Sequence, residues 1–236
     1  MAVILNIETS NTPCSVALTA EGMILAHREN RGERNHAAYL SGYVKEMLDF
    51  VKEKEIALDA VAVSMGPGSY TGLRIGLSEA KGLAYGLDVP MIGVPTLELM
   101  ATQVLFGAES LPDDVVLVPM LDARRMEVYT AAYDLSLKEM MEPQALILEE
   151  ENHPYAKIME TDRPVLFFGS GMNKWRDTEM AKRYANAMFV DRVEPLAVGM
   201  VALSERAYMR REFVDTSYCT PIYLKDFQAT KPRKRL

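Results

Sequence analysis

The chain has 236 residues, 49% of them hydrophobic and 25% charged, the profile of an ordinary soluble globular protein with room for one large domain or two small ones. Its formal charge is 26 − 33 = −7, which argues against a surface mainly built to grip nucleic acid. Cys14 and Cys219 are the only cysteines and form no Cys-x-x-Cys, so neither a disulfide framework nor a cysteine zinc site is expected. The N-terminal "MAVILNIETS" lacks a basic leader region, and no apolar run approaches the length of a membrane span, so a cytoplasmic protein without a membrane partner is expected.

"AVILNIE" reads as a first strand ending in an acid, Glu8. The polar turn "TSNTP" follows, then the strands "CSVALTA" and "MILAHRE". Residues 36–51 carry apolar positions at 40, 44, 47 and 51, a helical spacing. "LDAVAV" is a strand that runs into "SMGPGSYTGLRIGLSEAKGLAYGLDVP", helical from about Thr71. A short strand and a helix lie in "PMIGVPTLELMATQVLF", with Thr96 as expected N-cap. From 115, "VVLVPMLDARRMEVYTAAYDLS" repeats the opening plan of strand, acid, turn and strand, with Asp122 standing where Glu8 stood. "PVLFFGSG" reads as a strand and a Gly-Ser-Gly loop, and helices are expected in "EMAKRYANAM" and "PLAVGMVALSERAYMRREF". The pattern predicts an α/β fold of two similar halves, each a mixed sheet flanked by helices. The divisions are 1–108, 109–222 and a basic tail, 223–236, whose "KPRKRL" reads as a solvated segment with at most an auxiliary contact to nucleic acid. This plan resembles the actin-like ATPase (ASKHA) fold, in which the acid ending the first strand of each half faces phosphate and magnesium across a cleft.

The helix after the glycine loop holds Gly72, Gly76, Gly82 and Gly86, and each costs about 1 kcal/mol relative to alanine. At 100° per residue the four fall within an arc of about 120°, shared with Ile75 and Leu83 and flanked by Ala80. They form one thin face that a neighbouring backbone can approach closely. Helix 36–51 has an apolar arc of about 180°, wider than a single core face needs, with Tyr39, Tyr43 and Phe50 on one shoulder. The candidate partner-binding residues are therefore Tyr39, Tyr43, Phe50, Gly72, Gly76, Ala80 and Leu83. On that reading a bulky residue at Gly76 blocks association and leaves the monomer folded; if the chain's own sheet is the neighbour, it destabilises the fold instead.

"ILNIETSNTPCSVAL", "GPGSYTGLRIG" with "AKGLAYGL", "GVPTLELMA", "DARRMEVY" and "PIYLKD" together resemble the bacterial TsaB family, also called YeaZ, over nearly the whole chain. The resemblance implies a noncatalytic scaffold for a TsaD-like catalytic subunit, which threonylcarbamoylates the adenosine beside the anticodon of certain tRNAs (the t6A modification). A TsaE-like ATPase joins the same complex. The resemblance also implies pairing with the TsaD-like subunit through the equivalent helices, and a homodimer through the same surface. Contact with tRNA is expected to be indirect.

The residues themselves bear on catalysis. The related catalytic family carries a His-x-x-x-His metal pair on its first helix; here His36 is followed at the fourth position by Leu40, which cannot ligate. His27, His36 and His153 read as structural or surface histidines, and no metal site is expected. The turn after Glu8 is "ETSNTP", without the glycine that lets amides approach phosphate. Glu8 and Asp122 remain candidates for holding magnesium-nucleotide, but no cofactor is expected. Gly-Pro-Gly-Ser-Tyr-Thr-Gly has neither the nucleophile-elbow spacing nor a Walker lysine. Arg124 and Arg125 beside Asp122 face either a phosphate, an acidic partner or an ion pair. The rival readings are a small-molecule kinase or ATPase of the same fold, and a metallopeptidase, which the missing second histidine disfavours.

Overall fold

The computed structural model describes residues 2–32, 35–149 and 154–225. The first sheet begins with β1 (Val3–Glu8), β2 (Cys14–Ala20) and β3 (Met23–Asn30), joined as antiparallel hairpins. Helix α1 (His36–Glu53) carries the chain to β4 (Ala60–Gly66), which pairs parallel to β1. Helix α2 (Tyr70–Leu87) then leads to β5 (Met91–Pro95), parallel to β4, giving the order β3-β2-β1-β4-β5. β1 and β4 are apolar almost throughout because both their faces are covered by helices.

After α3 (Thr96–Gly107) the same plan repeats. β6 (Val116–Asp122), β7 (Glu127–Tyr133) and β8 (Glu139–Ile147) are antiparallel neighbours. The short α4 (Ala156–Met159) precedes β9 (Val165–Phe168), parallel to β6. The short α5 (Met172–Arg176) and a 3-10 turn, Ala181–Arg183, precede β10 (Ala187–Val190), parallel to β9. The order is β10-β9-β6-β7-β8, strand for strand the counterpart of the first sheet. The two halves thus have the topology of the actin-like ATPase fold, as the repeated plan of strand, acid and turn around Glu8 and Asp122 implies. Gly66 and Gly169 mark the correspondence locally: each follows or ends the strand parallel to the acid-bearing one, at φ +106° and +103°. Both are left-handed positions that favour glycine.

Helix α3 buries apolar residues on two sides, and both halves claim it. Leu97, Met100, Ala101 and Val104 pack on Leu117, Ala131, Tyr133 and Phe168 of the second sheet, whereas Leu99 joins Ile4, Ala62 and Ile92 of the first. Reciprocally, a 3-10 turn at Ala197–Met200 and helix α6 (Val201–Arg210) return from the second sheet to the first, where Ala197, Met200 and Leu203 cover Ile4, Ala60 and Val94. The Arg206–Glu98 ion pair (2.7 Å) ties α6 to α3.

Two local expectations change. Thr96 is the first helical residue and not the N-cap, a position held by Pro95. Residues 179–188 are not one helix. Asn186 Nδ2 donates to the carbonyls of Met159, Thr161 and Arg163 (2.9–3.2 Å), which ends the turn and sends the chain into β10.

Candidate functional site: the cleft turns and the α1–α2 face

The first-strand acid is enclosed. Glu8 is 0% exposed, as are Thr9 and its neighbours in the turn down to Ser10 at 1%. The Ser10 amide donates to Glu8 Oε1 at 2.5 Å, while Oε2 lies buried without a well-formed hydrogen bond. Burial raises the Glu8 pKa to about 7, although the Ser10 and Ser64 hydroxyls and the Thr9 and Ser10 amides pull it down.

Helix α2 and its preceding loop seal the turn. The Ser69 amide donates to Ser10 O (2.6 Å), and Thr9 Oγ1 donates to Gly72 O (2.8 Å). Ser69 caps α2 by accepting from the Gly72 amide (3.3 Å). A Cβ at Gly68 would run into Ser10 O, one at Gly72 into Thr9 O and one at Gly76 into Thr9 Oγ1. His36, 5% exposed, closes the other side: its Nε2 lies 2.8 Å from Asn11 O and 3.2 Å from Pro13 O, so in the tautomer protonated there it donates to both. It is a structural histidine. Leu40, one turn on, is buried in the core. His27 lies on the exposed face of β3, and His153 falls outside the described residues.

Asp122, the counterpart of Glu8, sits differently. It is exposed, paired with Lys174 (2.9 Å), and accepts from the Arg124 amide (2.6 Å). Ser170 Oγ accepts from the Asp122 amide (3.1 Å), and Asn11 Nδ2 reaches the same oxygen at 3.5 Å. The turns of the two halves therefore meet across the cleft. The C-terminal segment crosses the same opening. Val214 N donates to Met91 O (2.9 Å), Ile222 N to Met65 O (2.7 Å), and Lys225 Nζ to Ala123 O (3.1 Å) and Glu127 Oε2.

These residues do not fit a magnesium-nucleotide. The Glu8 carboxyl is sealed under α2 and accepts from the Ser10 amide, Thr9 is covered with it, and Asp122 is held by an ammonium group. Among the described residues no three His, Cys, Asp or Glu side chains gather at metal-binding distance.

The glycine face divides in two. Gly72, Gly76 and Ala80 are covered by their own chain, Ala80 at 0% exposure in the core between β4 and α1. This corrects the expectation that they are open to a partner: the close neighbour of the two glycines is the Thr9 turn, and that of Ala80 is the core itself. Gly82 and Gly86 are exposed, with nothing within 4 Å of an added Cβ, and the same holds for Gly42 on α1. Tyr39, Tyr43, Phe50 and Leu83 are half-buried, packed by one side on the first core, with the Tyr39 and Tyr43 rings stacked at 6.0 Å. Tyr85, 87% exposed, lies beside Gly86. Sequence reasoning missed Thr9 as the residue against which α2 packs; two glycines one turn apart that follow a loop were the available signal.

Known proteins are similar to this chain in sequence and in fold. Residues 24–232 match the family model described as "TsaD: tRNA N6-adenosine threonylcarbamoyltransferase". The tRNA threonylcarbamoyladenosine biosynthesis protein TsaB of Escherichia coli is 31% identical over 235 residues, covering 97% of this chain and 96% of that protein. The TsaB of Bacillus subtilis is 35% identical over 169 residues, 70% of each. The solved structure of YeaZ from Pseudomonas aeruginosa superposes with a TM-score of 0.75 at 26% identity, over 95% of this chain and all of the other. With two matched halves, an acid at the end of each leading strand and near full-length relatives, this chain belongs to the TsaB (YeaZ) family of tRNA threonylcarbamoyladenosine biosynthesis proteins.

Proposed function

We propose that the chain is a noncatalytic cytoplasmic scaffold that binds and supports a TsaD-like catalytic subunit in t6A formation, in a complex that also holds a TsaE-like ATPase. The observation that carries this reading is the enclosure of Glu8: the acid that the fold would aim at phosphate is 0% exposed beneath α2. A kinase or ATPase reading needs that carboxylate in the cleft. The docking face is the outer side of α1 and α2, where Tyr39, Tyr43, Phe50 and Leu83 keep part of their surface and Gly82 and Gly86 offer bare backbone. Surplus apolar surface beside open glycines suits a close helix–helix contact with a subunit of the same fold, or with a second copy of this chain by twofold symmetry.

Reconstitution with the TsaD-type and TsaE-type subunits tests the proposal. Threonylcarbamoylation of tRNA is expected to require this chain, to survive Glu8→Gln and Asp122→Asn, and to fall with assembly in Gly86→Arg. Turnover by the chain alone that Glu8→Gln abolishes, or full complex activity without the chain, would overturn it.

A further inference from the structure

The charges at the mouth of the cleft do not cancel. Asp122 pairs with Lys174 and Glu127 with Lys225. Between these acids the β6–β7 turn carries Arg124 and Arg125, both exposed and, among the described residues, in no ion pair. Their backbones lie at φ +67° and +49°, where glycine or asparagine is favoured and other side chains crowd the backbone. Glycine would suit this turn better, so what arginine contributes is its side chain.

Other cations lie along the C-terminal segment that crosses the same opening. Lys225 Nζ, bound to Ala123 O, lies 5.6 Å from the centre of the Tyr129 ring. The basic tail, with Lys231, Arg233, Lys234 and Arg235, lies outside the described residues. Two residues before Lys225, the partly exposed Tyr223 ring lies 5.2 Å from that of Tyr70. The guanidinium of Arg74, itself exposed, lies 4.7 Å from the Tyr70 ring centre. Arg74 and Tyr70 of the first half and the Tyr223 ring are thus linked, two residues on from Tyr223 through Lys225 and its bond to Ala123 O, to the turn that carries Arg124 and Arg125.

We propose that this mouth is a contact surface for the backbone of an RNA, with Arg74, Arg124 and Arg125 meeting phosphates and Tyr223 offering a ring to a base. Guanidinium groups suit phosphate geometry, and aromatic rings interleaved with cations accept bases of any sequence. The choice of RNA over another polyanion rests on the t6A reading. On a chain of net charge −7 the contact is local and supplements whatever the catalytic subunit binds.

The test is binding of the full chain to a tRNA lacking the modification, by fluorescence anisotropy at about 50 and about 200 mM salt. Arg124→Gly with Arg125→Gly removes both charges and relieves the left-handed backbone, so the fold is retained or gains in melting temperature. Its affinity is expected to fall several-fold and its salt slope to flatten by nearly two units, while Arg124→Lys with Arg125→Lys keeps most of the slope. An unchanged affinity and slope in the double glycine variant overturns the proposal. So does absence of binding by the wild-type chain at the lower salt, or equal binding of polyglutamate and tRNA. Assembly with the TsaD-type subunit is measured in parallel: if wild type binds tRNA but does not assemble, the surface stands and the scaffold reading falls.

Discussion

A carboxyl group held out of water is a pH-dependent load on the fold, and Glu8 carries one. Its pKa is about 7 in the folded chain against an ordinary 4.5. Below the ordinary value it is neutral in both states. As pH rises the unfolded chain loses the proton first, so stability falls between about pH 4.5 and pH 7 and stays lower above it. The shift corresponds to about 3 kcal/mol at most. Glu8→Gln is expected to remove this dependence: its stability relative to wild type, from urea unfolding, should be higher at pH 8 than at pH 5 by about 2–3 kcal/mol. Equal differences at the two pH values would mean that Glu8 is ionised in place and better solvated than its enclosure implies. The acid at the end of a first strand was legible from "AVILNIE". Its enclosure was not, because the covering atoms belong to Thr9, Ser10 and α2, brought together only by the fold.

On helix α2 the four glycines share a spacing but not a neighbour. A helical wheel assigns residues to a face and says nothing of what stands opposite, so the arc from Gly72 to Gly86 read as one surface. The axis of α2 leaves the Thr9 turn as it rises, so the first two glycines meet it and the last two do not. Opposite signs follow. Gly86→Ala gains helix propensity with no contact to offend, and is expected to stabilise the monomer by up to about 1 kcal/mol. Gly76→Ala forces Thr9 aside in a buried turn and is expected to destabilise by about 1–3 kcal/mol. Denaturant melts of both variants, under conditions where the chain is monomeric, decide this. If Gly76→Ala gains as much as Gly86→Ala, Thr9 is not its neighbour. The same limit of local pattern explains residues 179–188. Their composition suits a helix, yet the carbonyls that Asn186 satisfies and the open edge of β9 draw the segment into β10.

The two halves are alike in topology but do not divide where the sequence repeat divides. Strand order and the paired acids were legible, because alternation and turn chemistry are local. The exchange of helices was not, since α3 and α6 each follow one sheet and help bury the other. A fragment ending at residue 108 therefore lacks the cover of its own sheet: Ile4, Ala60, Ala62, Ile92 and Val94, all buried beneath Ala197, Met200 and Leu203 in the whole chain, would face water. It would also expose Leu97, Met100 and Val104 of α3, which pack on the second sheet. At about 1.5–3 kcal/mol for each large apolar side chain, losing cover over the six large ones among these eight is comparable with the roughly 5–15 kcal/mol by which domains are stable. The fragment is expected not to fold cooperatively, and the whole chain to unfold in one transition. Adding a peptide of residues 194–225 restores the first-sheet cover and the Val214 and Ile222 contacts with Met91 and Met65, but leaves the sheet-facing side of α3 bare. Partial recovery of amide protection in β1 and β4 is therefore expected, read by hydrogen exchange on the fragment with and without the peptide. Full protection in the fragment alone would show that the first half is self-sufficient and that α6 is an accessory to it.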